Sequence, residues 1–460
     1  MFKKRRKEKN QIIEPGKELM FNNRFLLRLL WPLLVEQLLV FAVGLIDSVM
    51  VASVGEAAVS AVSLVDSLMI LIITVMIALA TGGAVVVGQF LGQNKETEAQ
   101  RTGDQLILFA MMLSLAITII LYLLKDVILG GVFGQIDDDV MAYCNTYYLI
   151  VIASIPFISV YNSGAALFRS VGNSKISMKI SILMNGINVA GNAILIFGFH
   201  RGVEGVAIPT LVSRIIAAVL VIVFLRKPEL AVHISKPFCW RPDWSVIKKI
   251  LRIGIPNGIE NSMFQLGKLI LLSLISGFGT VSIAANAVSN AVCMIAVLPG
   301  MAMGYGVVSI ISRCVGAGDY GQVRYYAKKM IKWTYLSMVI INILVVLALP
   351  FIIGIYGLSE ETGDLATMII LFHSVCAVLI WTPSFTLPNV LRAASDVTFT
   401  MIVGVGSMWI FRIGTGILFG KFLGLGLFGV WIAMIVDWAV RALCFILRYR
   451  SGKWKHPSVK

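Results

Sequence analysis

Twelve runs of mostly apolar residues succeed one another along the chain, at 25–50, 58–85, 104–124, 142–166, 177–198, 204–225, 247–275, 282–312, 331–353, 364–390, 399–420 and 427–447. Each is close to or beyond the ~20 residues that a helix needs to cross a bilayer. In hydrocarbon a lone segment satisfies its backbone polar groups only by coiling into a helix. The pattern therefore predicts an all-α integral membrane protein of twelve transmembrane helices. With 58% hydrophobic and only 14% charged residues, the chain is far from a soluble composition, where about 25% are charged.

The net charge of +15 raises the question of nucleic acid, and its distribution answers it. Thirty Lys and Arg residues fall in the tails, in alternate connections or at the span ends beside them. The opposite connections hold three, Lys125, Arg201 and Lys421, with acidic runs such as Asp137-Asp138-Asp139 and Glu360-Glu361. That asymmetry is the positive-inside signal, so both termini are expected in the cytoplasm of a multi-pass protein of the cell membrane. The basic face is suited to anionic lipid headgroups, and nucleic acid is not an expected partner. The opening MFKKRRKEKN has no short apolar core and cleavage site after it, and reads as a basic tail. The six cysteines form no CxxC pair and read as packing thiols, and four scattered histidines indicate no metal site.

The chain is also a duplication. PLLVEQ at 32–37 returns as PNGIEN at 256–261, a shift of 224. The same shift carries Gly55 to Gly279, Asp66 to Asn290, Gly82 to Gly306, Gly92 to Gly316 and Gly205 to Gly429, while Arg169 matches Arg392 at 223. A constant offset over so long a stretch is a repeat signature. Six spans per copy bring both copies into the membrane from one side, as parallel repeats. The expected organisation is a cytoplasmic tail (1–24), an amino-terminal six-helix lobe (25–225), a cytoplasmic linker with three prolines (226–246), a carboxy-terminal six-helix lobe (247–447) and a second tail (448–460).

Intramembrane polar residues carry the functional reading, because an ionisable group in hydrocarbon is costly and faces a partner or a wet cavity. Glu36 and Glu260 each sit near mid-bilayer after a helix proline. Each is either a substrate or proton site or a buried acid held by neighbours such as Gln37 and Asn261. Asp47 lies eleven residues after Glu36, within about 20° on one helical face. Asn162, Asn185, Asn188 and Asn192 offer hard oxygen ligands that, with Asp47, suit Na⁺, hold a protonated Asp47 or simply bond helix to helix. Arg412 and Asp437 read as an ion pair within the last two spans. Arg214, Arg252 and Arg441 read as snorkelling toward water, and Lys268 as snorkelling or answering an acid on another helix. Met263, Phe264, Met294, Met301 and Tyr305 form either an adaptable binding wall or ordinary packing.

These features come together in a resemblance. The Pro32–Asp47 spacing, VGQFLG at 87–92, LFRSVGN at 167–173, NGINVAGNAILIFG at 185–198, RCVG at 313–316 and VLRAASD at 390–396 are similar to those of the multidrug and toxic compound extrusion transporters, over essentially all twelve spans. The resemblance implies two lobes in a V, no enzymatic activity, and export of organic cations or amphiphilic drugs against inward H⁺ or Na⁺ by alternating access. It implies no cofactor beyond the coupling ion, and a monomer. It places a cation-coupling site at Asp47, Asn162, Asn188, Asn192 and Thr210. Asn192 stands where some relatives carry a second acid. A carboxy-lobe site found in another branch would use acids where this chain has Gln265 and, approximately, Trp381. The substrate cleft would then be lined by Glu36, Gln37, Glu260, Asn261, Met263 and Gln265. Two other functions fit the sequence less well. A lipid-linked oligosaccharide flippase calls for cleft cations, and only Lys268 and Arg412 qualify. An intramembrane enzyme of the prenyltransferase kind calls for paired Asp motifs, and Asp137-Asp138-Asp139 has no counterpart at the repeat's offset.

Overall fold

A computed structural model describes residues 18–132, 137–235, 238 and 240–455. Most of the expected amino-terminal tail, part of the linker with Cys239, and residues 456–460 lie outside the described residues. The chain runs through α1 (Asn23–Ala52), α2 (Glu56–Gly92), α3 (Glu96–Leu123), α4 (Asp138–Ile152), α5 (Ile155–Ser170), α6 (Ser174–Gly198) and α7 (Glu204–Leu225). The second half follows as α8 (Trp244–Ser276), α9 (Thr280–Gly316), α10 (Tyr320–Tyr356), α11 (Glu360–Ala393), α12 (Val397–Phe422) and α13 (Gly426–Ser451).

Ten of these helices are long and apolar enough to cross a membrane. The pair α4 and α5, bent by 45° at residues 153–154, makes an eleventh span. The twelfth expected span corresponds to α8, which is 33 residues long but carries Lys248, Lys249, Arg252, Glu260 and Lys268. Its length spans and its hydropathy is diluted, so the polar residues are what separate it from the other spans. Three helices widen into π-turns, at Ile194–Gly198 in α6, across Ala377–Thr386 in α11, and at Ser407–Gly414 and Leu418–Phe422 in α12. Such turns release backbone groups from the regular ladder and cluster at functional sites.

The duplication is visible in the backbone. Left-handed residues close equivalent turns at Gly55 and Gly279, Asn94 and Gly318, Gly172 and Ser395, and His200 and Gly424. These pairs keep the offset that relates Pro32 to Pro256, and Gly172 with Ser395 falls one short of it, as Arg169 with Arg392 does. Each copy is centred on its second helix, α2 or α9, both 37 residues long. In the first copy α2 packs against α3, α4 and α5; in the second α9 packs against α10 and α11.

Two compact units emerge, one of residues 27–258 and one of residues 18–26 with 259–455. Each boundary falls inside a helix, at the start of α1 and at Gly258 of α8, and not at the linker. In the first unit, α8 begins against α2 so closely that a Cβ on Gly82 would meet Ile250 O at 2.7 Å and Gly254 N at 2.9 Å. In the second, the Tyr326 hydroxyl accepts from Phe21 N and donates to Phe21 O, both at 2.7 Å.

The linker is fastened to the first unit. Gln105 accepts from Asp243 N at 2.8 Å and donates to Arg241 O at 3.0 Å, Asp104 receives the Ser235 hydroxyl, and Val232 and Ile234 are buried. Asp243 caps α8, its Oδ1 accepting from Ser245 N at 3.0 Å and Ser245 Oγ at 2.7 Å, and pairs with Arg101. The Ser245 hydroxyl, foremost, holds the Asp243 carboxyl below its ordinary pKa.

Candidate functional site

Three polar clusters lie within the helical units. The first is the acid that the repeat copies. Glu36 is 5% exposed; it receives Tyr161 OH at 3.4 Å and Ser177 Oγ at 3.2 Å, and Arg169 Nη1 lies 3.6 Å away. Glu260 is 6% exposed and takes Arg392 Nη2 at 2.7 Å, while Arg392 Nη1 donates to Asn389 Oδ1 at 2.9 Å. Gly404 makes room for this pair, since a Cβ there would lie 2.6 Å from Glu260 Oε1. The two arginines are themselves repeat mates. Of the two readings of Glu36 and Glu260, the geometry is that of the buried acid: each carboxylate is buried and its charge is answered, by an arginine rather than by the expected Gln37 or Asn261. Gln37, Asn261, Met263 and Gln265 beside them are half-buried.

The second cluster belongs to the first unit alone. Asp47 on α1 is half-buried and accepts from Asn192 Nδ2 at 2.8 Å. The Asn188 amide sits between Asp47 and Thr210. One of its terminal atoms is 3.1 Å from both Asp47 oxygens and the other is 3.0 Å from Thr210 Oγ1. Which atom faces which is decided by hydrogen bonding. With nitrogen toward Asp47, the amide donates to an ionised carboxylate and accepts from Thr210. With oxygen toward Asp47, two acceptors face each other and a proton or cation must lie between them. Thr210 then accepts from Asn188 and keeps its own proton on Val206 O at 2.9 Å. The site can thus accommodate either charge state of Asp47 by turning one amide.

Four of the five residues expected here come together, Asp47, Asn188, Asn192 and Thr210. Asn162 is half-buried and its Nδ2 makes no hydrogen bond. Sequence reasoning missed a second layer. Asp66 accepts from Tyr147 OH at 3.0 Å, Arg214 donates to Ser154 Oγ at 2.6 Å, and Asp47, Asp66 and Arg214 interact electrostatically. Arg214 therefore faces inward and does not snorkel. Asp66 carried a legible signal, being an acid inside the second apolar run.

The third cluster is in the second unit. Asp437, fully buried, holds Arg441 Nε at 2.9 Å and has Arg412 Nη1 at 3.8 Å, the expected pair with a second arginine added. Arg441 also donates to Gly404 O at 2.8 Å and is buried, contrary to the snorkelling expected of it. Lys268, exposed, lies over the Phe264 ring at 5.0 Å, with the Arg412 and Arg441 guanidinium groups each 5.3 Å from the same ring.

Comparison with known proteins agrees with this architecture. The MatE family model matches twice, over residues 32–194 and 256–418, so the family's own unit repeats here, with Pro32 and Pro256 opening the two matches. The chain is 29% identical to the uncharacterized transporter YisQ of Bacillus subtilis over 437 residues, covering 93% of this chain and 94% of that one. It is 24% identical to the probable multidrug resistance protein NorM of Thermotoga maritima, covering 97% and 96%. Among solved structures, an outward-facing multidrug resistance MATE family transporter of the MOP superfamily superimposes with a TM-score of 0.88 at 19% identity, covering 94% of this chain and 96% of that one. A MATE structure in the bent conformation gives 0.85 at 21%, with the same coverage. With the family model spanning both copies, the chain belongs to the multidrug and toxic compound extrusion family, multi-pass membrane transporters that move small-molecule drugs and are not enzymes.

Proposed function

We propose that the protein is a secondary active antiporter of the cell membrane that exports small organic cations or amphiphilic compounds in exchange for H⁺ or Na⁺, with Asp47 as the coupling residue. One observation carries this reading: the Asn188 amide sits 3.1 Å from both Asp47 oxygens and can serve the acid in either charge state. A neutral Asp47, or one bound to Na⁺, draws the amide oxygen; an ionised Asp47 draws the nitrogen. Loading the ion therefore changes what α1 holds on α6 and α7. Exchange then requires only that ion and cargo favour different conformations, so that each lowers the affinity for the other.

Glu36 and Glu260 would contact cargo only on release from Arg169 and Arg392, and otherwise hold their helices. Within their own units, Gln37 in the first and Asn261, Met263 and Gln265 in the second are better suited to contact an adaptable cargo, polar and soft without fixed charge. Cytoplasmic termini and a lipid-facing basic surface complete the proposal, on the strength of the Lys and Arg asymmetry, with a monomeric carrier carried over from the sequence-based expectation. The test is efflux of an organic cation from proteoliposomes under separately imposed H⁺ and Na⁺ gradients. Asp47→Asn is expected to lower gradient-driven efflux at least tenfold, and full retention of driven efflux would remove Asp47 from the coupling role.

A further inference from the structure

The repeat copies the scaffold and inverts the charge. Shifting the first unit's acidic cluster by the repeat's offset, or by one less, turns Asp47 into Leu271 (or Ile270) and Asp66 into Asn290 (or Ser289), and Arg412 falls opposite Asn188 or Val189. Gly44, one turn before Asp47, becomes Lys268 at the full offset. Leu271, Asn290, Arg412 and Lys268 all line a single cavity of about 260 Å³ in the second unit. The space that is acidic in one copy is basic in the other.

Its charge is not balanced from within. Lys268, Arg412 and Arg441 gather on the Phe264 ring, and Asp437 is the carboxylate that pairs with both arginines. Asp437 is nearer Arg441, at 2.9 Å, than Arg412, at 3.8 Å, and Arg412 Nε has no hydrogen-bond partner. Glu260, two turns before Lys268 on α8 and so about 12 Å along it, is held by Arg392. His373 on α11 adds no negative charge; its ring packs edge-on against Trp431 and Trp438. Three cations against one acid in a partly desolvated site repel one another, and an incoming oxyanion relieves that repulsion.

We infer that this cavity is a binding site for a small organic anion, or for the acidic group of a zwitterionic cargo. Lys268 and the Arg412 guanidinium meet its carboxylate or phosphate. A planar guanidinium suits the paired oxygens of such a group. Trp431 Nε1 donates to Asn286 Oδ1 at 3.2 Å, which leaves the Asn286 amide nitrogen as a further donor. Ile275, Val430, Trp431 and Met434 supply an apolar wall for a short ring or chain. The volume lies just under the ~300 Å³ of ordinary ligand pockets, which fits a compact ligand or one end of a larger one. The site does not depend on Asp47 coupling.

The test measures thermal unfolding of the full chain in detergent with benzoate, inorganic phosphate or benzylammonium, since a ligand that binds the folded state raises the midpoint. Benzoate is expected to raise it in a saturable way, with phosphate acting more weakly and benzylammonium leaving it unchanged. Lys268→Met, which removes one of the mutually repelling charges at an exposed position, is expected to unfold at or above the wild-type temperature without ligand and to need at least tenfold more benzoate for the same shift. Lys268→Arg should retain most of the response. Equal stabilisation by benzylammonium, phosphate acting as strongly as benzoate, or an unchanged benzoate response in Lys268→Met would each overturn the assignment. So would the absence of any benzoate effect on wild type.

Discussion

At the scale of single residues, the acid that both copies keep is held differently in each. Glu36 shares its two oxygens among Tyr161, Ser177 and a longer contact to Arg169, whereas Glu260 has one short bond to Arg392 and a second oxygen, Oε2, without a hydrogen bond. Removing one partner of a buried pair strands the other charge, a loss of about 3–5 kcal/mol. Glu260→Gln should therefore destabilise the protein more than Glu260→Gln combined with Arg392→Met, which removes both charges. Thermal unfolding in detergent checks the order, and a double variant weaker than the single one would refute the pairing. Gly404→Ala attacks the same pair sterically, with its Cβ 2.6 Å from Glu260 Oε1. Overpacking of this kind costs typically about 1–3 kcal/mol, and Glu260→Ala should relieve the steric part of it. The acids were legible in the sequence because a charge inside an apolar run stands out. Their arginine partners were not, since pairing between residues so far apart in the chain depends on where separate helices meet.

At the scale of elements, the spans were legible because hydrocarbon fixes their length and composition, but their interruptions were not. Nothing in the apolar pattern marks the wide turns of α11 and α12, or the bend between α4 and α5, because an almost uniformly apolar run carries too little periodicity to register a local change of winding. The linker shows the same limit: its prolines announced a break, yet the chain is fastened to α3 by side chains that the break does not reveal. Asp243 is the fastening point. Replacing an N-cap acid with Ala costs about 0.5–2 kcal/mol, whereas its pair with the largely exposed Arg101 contributes little. Asp243→Ala should speed amide exchange at the start of α8 by roughly 2- to 30-fold, while Asp243→Asn, which keeps the cap, should change it far less. Equal effects of the two would locate the anchorage in the ion pair instead. Acid has a defined sign here. Because folding lowers the Asp243 pKa, its contribution is complete above the unfolded value of about 3.9 and is lost as pH falls through the folded value. Protection from exchange at the start of α8, taken relative to the intrinsic rate at each pH, should accordingly be insensitive to this group between about pH 5 and 8 and fall only in stronger acid.

At the scale of the whole molecule, duplication explains the frame and divergence explains the chemistry. Equivalent turns, central helices and proline-acid pairs recur at one nearly constant offset, which is why the two-copy plan could be read from the sequence. What the offset also contained, and what only the packing made visible, is that the intramembrane charges differ in sign between copies: Asp47 and Asp66 in one, Lys268 and Arg412 in the other. A carrier built this way can load a cation on one copy and an anionic group on the other without either competing for the same atoms. The two functions should then come apart under mutation. Asp47→Asn is expected to lower ion-driven efflux at least tenfold while leaving benzoate stabilisation of the folded protein at the wild-type level. Lys268→Met is expected to weaken benzoate stabilisation at least tenfold while leaving the efflux of an organic cation, driven through Asp47, within about twofold of wild type. Binding and efflux measured on the same two purified variants decide the matter: if either substitution lowers both readouts together, the copies share one site, and the charge inversion is a feature of packing rather than of transport.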